Sequence, residues 1–127
     1  MAMAMAIGAS GCDAIDQGMR KAVQCEGVSK AVNAHKDSVP TIDSVASAER
    51  AAVGLSDLER AVSTLKLDDV ELNRQVGDYT ATLRKMSETL RAGLSGDTLD
   101  EAAAARYDVL VDEHDRQTLN ITAYCKH

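Results

Sequence analysis

A chain of 127 residues fits one domain with a single core. It has no Trp, no Phe and three Tyr, a net charge of −6 and a pI near 4.9, so it offers neither stacking platforms for bases nor a basic surface to follow phosphates, and nucleic acid is excluded as a partner. A core of Leu, Val, Ile, Met and Ala with one proline in the whole chain suits close-packed helices better than a sheet.

The first segment, MAMAMAIGAS, has no Lys or Arg and so lacks the basic start of a secretory signal. Residues 1–12 are expected to form a disordered tether, the remnant of a trimmed signal or of cloning, and residues 13–127 a single domain. A first helix is predicted over about 13–36. Ile15, Met19, Ala22, Cys25, Ser29 and Val32 fall on one stripe at steps of three and four. Asp13 and Asp16 sit in its first turn, where the helix dipole favours acids. KDSVPT interrupts the pattern, with Pro40 suited to the first turn of the next helix.

That second helix is predicted over about 40–67, with Ile42, Val45, Ala52, Leu55, Leu58 and Val62 on its seam. Gly54 lies inside it, and Ser56 with Glu59 matches a capping box. The seam keeps its phase across both, so one continuous helix is expected. A third helix over about 69–93 has a heptad seam of Leu72, Val76, Tyr79, Leu83, Met86 and Leu90. Asp68 with Glu71 is its expected capping box, and Gly93 or Gly96 is available to end it. A fourth helix over about 98–125 starts from Thr98 and Glu101 and carries Ala103, Tyr107, Leu110, His114, Ile121 and Cys125 inward.

Four helices joined by short links point to an all-α, up-down-up-down antiparallel four-helix bundle. The alternative is an extended helical hairpin that buries its stripes in a homodimer, to which the heptad of the third helix is suited. In the bundle the first and fourth helices are antiparallel neighbours. Cys25 and Cys125, both on inner stripes, can then meet and form a disulfide joining the two ends of the domain. The closed loop would stabilise the fold by roughly 4–5 kcal/mol in the chain-entropy model.

The pairing leaves Cys12 odd. It follows Ala9, Ser10 and Gly11, and Ala-Ser-Gly-Cys resembles the lipobox of bacterial lipoproteins. Small residues there admit the signal peptidase, and the cysteine thiol takes the lipid. The resemblance implies lipidation at Cys12, a periplasmic or outer-membrane-anchored location, and attachment to the membrane through that lipid. The alternative is a cytoplasmic, self-associating helical protein with three free thiols, in which Cys25 and Cys125 serve as small core residues.

Little else in the chain carries chemistry. No catalytic constellation, cofactor motif or metal-ligand spacing is present, so no catalytic residue, cofactor or metal is assigned and the protein is read as non-enzymatic. His114 lies on an apolar seam and is expected to be half-buried and bonded to a neighbouring side chain. Asp108, Asp112 and Asp115 share one face of the fourth helix, while Asp57–Arg60 and Glu71–Arg74 read as a solvated exterior. The leading expectation is a helical interaction module that docks a protein partner in the cell envelope. The second is a sensor or carrier with a small-molecule site between helices, which only Tyr79, Tyr107 and His114 could line with polar groups. A cavity near His114 distinguishes the second from the first.

Overall fold

The computed structural model describes the backbone of residues 2–126 and the side chains of residues 18–126. The protein is all-α apart from one short ribbon. Helix α1 spans Ala2–His35 and runs into a 3-10 turn over Lys36–Ser38. Helix α2 spans Val45–Ser63, α3 Val70–Gly93 and α4 Glu101–Lys126. Between α3 and α4, strands β1 (Leu94–Ser95) and β2 (Thr98–Leu99) pair antiparallel. The backbone of α1 begins upstream of the predicted Asp13, and the side chain of Cys12 lies outside the described residues.

The helix ends differ from the sequence expectation because capping side chains set them rather than the apolar period, and Ile42 and Leu65 pack on the core from the links. Helix α2 starts at Val45, five residues after Pro40, which stays in the link. Its cap is Ser44: the Ser47 N–H donates to Ser44 Oγ at 3.1 Å and the Ser44 N–H donates to Ser47 Oγ at 2.9 Å. The capping box expected from Ser56 and Glu59 is not used, and α2 runs unbroken through Gly54. There the glycine has a packing role, because a Cβ would overlap the carbonyl oxygen of Ser38.

Helix α2 ends at Ser63, which frees Thr64 to Asp69 for the reversal. Asp69, not Asp68, caps α3 by accepting the Leu72 N–H at 2.8 Å. Helix α3 ends at Gly93 as predicted, but Gly96 does not cap it. Gly96 has φ +61° and sits first in the two-residue turn of the ribbon, the place where a type II′ turn asks for glycine. Thr98 is thereby drawn into β2, and α4 starts three residues later than predicted. Its first turn is capped by Asp100, which accepts the Ala103 N–H at 3.1 Å.

All six positions of the α3 heptad are buried, and Tyr79, Leu72, Leu83 and Leu90 are among the largest fully buried side chains. Helix α2 packs on α3 through Leu55, Leu58 and Val62. Contacts descend in α3 as they rise in α2: Ser87 Oγ donates to the Ala52 carbonyl at 3.0 Å, and Arg84 binds Glu59 at 2.6 Å. Helix α4 lies close against α3 at Gly93, where a Cβ would overlap the methyl of Ala103. Helix α1 departs from its predicted stripe. Among its described side chains Val28 is the buried one, Cys25 and Val32 pack against the core, and Met19, Ala22 and Ser29 are exposed.

Candidate functional site

Cys25 and Cys125 form a disulfide with Cα atoms 5.9 Å apart. A polar cluster reinforces this end. The Asp69 N–H donates to Gln24 Oε1 at 3.0 Å, the Tyr124 hydroxyl donates to Asp69 Oδ1 at 2.7 Å, and the Lys21 ammonium lies 4.0 Å over the Tyr124 ring. The Leu72 N–H, joined by the Tyr124 hydroxyl, holds the Asp69 carboxyl below its ordinary value, and the bond to Asp69 pushes the Tyr124 phenol up. One residue thus caps α3 and holds α1 and α4 beside the disulfide.

Helices α1 and α4 meet at this end. Toward the other end of α1 lies a cavity of about 570 Å³, walled by Val32 of α1, the link residues Val39–Ile42 and residues of α2, α3 and α4; a smaller one of about 320 Å³ shares Val32 and Tyr79 in its lining and reaches the disulfide. The larger falls within the range of small-molecule sites. Its walls are apolar, with Leu55 and Leu58 from α2, Met86 from α3 and Val111 from α4. Tyr79, Tyr107 and His114, the three residues singled out in the sequence, all line it.

Tyr79 and His114 form its polar feature. The Tyr79 side chain is only 2% exposed, and its hydroxyl lies 3.1 Å from His114 Nε2. The rings sit 5.1 Å apart at 36°. His114 Nδ1 in turn lies 3.1 Å from Asp115 Oδ1. A carboxylate on Nδ1 fixes the proton there, so Nε2 accepts and the Tyr79 hydroxyl donates. Burial pushes the Tyr79 phenol up to about 12. Burial, joined by the nearby Asp108 carboxylate, also raises Tyr107. A phenol held neutral in this way is a hydrogen-bonding group rather than a base at neutral pH.

The acidic face of α4 divides. Asp108 and Asp115 stand at the mouth of the cavity with Lys36 opposite, while Asp112 is not part of the lining. The other expected surface pairs are present and exposed, Asp57 with Arg60 at 3.7 Å and Glu71 with Arg74 at 2.5 Å. Among the described residues, no group of three or more His, Cys, Asp and Glu side chains is placed to hold a metal ion, and no helix is long and apolar enough to cross a membrane.

The sequence reading had no signal for Lys36, Met86 or Leu99 as cavity walls, because the 3-10 turn, α3 and β2 that carry them are brought together only by the tertiary fold. It also missed the Asp69–Tyr124 contact, which depends on two helix ends far apart in the chain. Compared with known protein families, curated proteins and solved structures, the chain matches none.

Proposed function

We propose that this protein is a non-enzymatic carrier or sensor of the bacterial cell envelope that binds a small, mostly apolar molecule in the cavity beside α4. The observation that carries the reading is the cavity floored by the Tyr79–His114 pair. It combines an apolar wall with one fixed polar contact, the arrangement by which small-molecule sites orient a ligand. In this reading the four helices run up-down-up-down.

The cell-envelope location rests on cysteine usage. A disulfide between Cys25 and Cys125 suits an oxidising compartment. It leaves Cys12 for the lipid that the Ala-Ser-Gly-Cys resemblance implies, with the lipid as the membrane attachment. A protein partner in the envelope is the natural receiver of a carried or sensed molecule. Exposed Met19 and Val23, one turn apart on α1, are an apolar contact that such a partner could cover.

The test is a screen of small apolar fragments by thermal shift, repeated on Val111→Phe. Fragments should raise the melting temperature of the parent protein and fail to do so when the added ring fills the cavity. A shift that survives Val111→Phe would place binding elsewhere and return the protein to the class of pure docking modules.

A further inference from the structure

Resting on the reading of the cavity as a small-molecule site, we infer that its ligand is a lipophilic amine, an apolar body carrying one cationic amino group. The polar groups of the cavity are dominated by acceptors and negative charge. The Tyr79 hydroxyl gives its only proton to His114 Nε2, which leaves its oxygen as an acceptor. The Nδ1 proton of His114 is taken by Asp115. The carboxylates of Asp108 and Asp115, seven residues apart on one face of α4, bring further acceptors and two negative charges to the mouth. Lys36 is the one cation in the lining, and the Thr41 and Tyr107 hydroxyls add neutral groups that both donate and accept.

A ligand that complements two carboxylates and one lysine carries positive charge and donates hydrogen bonds to the acids. An ammonium does both. A carboxylate or phosphate would meet the repulsion of two acids and find one lysine, and a neutral alcohol would use a single acceptor. The body of the molecule is set by the wall: Leu58, Met86 and Val111 offer no polar atoms, and the Tyr107 ring offers a face. A chain or ring system fills that space with the amine on the α4 side, where Asp108 and Asp115 stand two turns, about 10.5 Å, apart.

Calorimetric titration of the full chain with phenylbutylamine, phenylbutanol and phenylbutyrate, at neutral pH and low salt, compares three head groups on one body. The amine should bind tightest and the carboxylate weakest. The double variant Asp108→Asn with Asp115→Asn should weaken the amine about fivefold, the scale of exposed ion pairs, and weaken the amine more than the alcohol. Both positions are exposed, so the variant keeps the fold. Equal affinity for amine and alcohol, or an amine affinity unmoved by the double variant, overturns the charge assignment while the small-molecule reading stands. The carboxylate binding best overturns it in favour of Lys36. Binding by none of the three overturns both.

Discussion

Removing the disulfide is the sharpest perturbation of the fold. Cys25 and Cys125 lie 100 residues apart in sequence, and the chain-entropy model assigns a loop of that length about 4.7 kcal/mol at 25 °C. Natural domains are stable by about 5–15 kcal/mol, so the bond accounts for a third or more of the whole. Both cysteines are only partly buried, so replacing them with alanine adds little cavity cost. The double variant Cys25→Ala with Cys125→Ala is compared with its parent by urea unfolding, both carrying Cys12→Ser to prevent cross-linking. The unfolding free energy should fall by about 3–5 kcal/mol, since engineered and natural bonds often deliver less than the model. The slope with denaturant should rise, because an unfolded chain without the link exposes more surface. A loss below about 1 kcal/mol with an unchanged slope would refute the reasoning, since it would mean the bond does not constrain the unfolded chain.

Two glycines make a matched pair: Gly77→Ala, with open space around its Cβ, should stabilise α3 by about 0.5–1 kcal/mol. Gly54→Ala should cost about 1–3 kcal/mol through overpacking against Ser38, despite the same gain in propensity. Opposite signs in urea unfolding check the contrast. Asp69→Ala should cost about 1 kcal/mol as a lost cap. Because the Asp69 carboxyl is held below its ordinary value of 3.8, its contribution is complete above that pH and is lost as pH falls further. The parent should therefore lose stability in that window more steeply than the variant, as read by unfolding at a series of pH values. At the alkaline end, Tyr79 is raised from 10.0 to about 12, so its neutral form stabilises the fold below pH 10 and that contribution fades as pH rises toward 12. Ultraviolet titration of the phenols should lack a folded-state transition that Tyr79→Phe removes near pH 10, and should show one near 12.

The fold was legible wherever burial follows a strict period. The α3 heptad reads directly from Leu72 to Leu90 because that helix is flanked by others and its stripe has one meaning. Helix α1 reads less well, since it covers the core only partly and a stripe shifted by one position, Val28 in place of Ser29, suits its polar sequence equally. Helix ends were read too long because apolar residues such as Ile42 and Leu65 continue the period while packing from non-helical links. Ser44 was missed as a cap because the reciprocal partner is Ser47 rather than an acid. Of the site, Tyr79, Tyr107 and His114 were visible as the polar residues on inner stripes. The roles of Asp108 and Asp115 were not. On a lone helix they belong to a solvated face, and only the packing of the 39–42 link, α2 and α3 beside α4 makes them part of a cavity lining.

Isotope-filtered nuclear Overhauser measurements on the protein saturated with phenylbutylamine show whether the cavity beside α4 holds a ligand. Contacts are expected from the ligand's ring protons to the methyl groups of Leu58, Met86 and Val111, which only a molecule inside the cavity can make together. Contacts confined to the outward methyls of Met19, Val23 or Leu119 would contradict that placement.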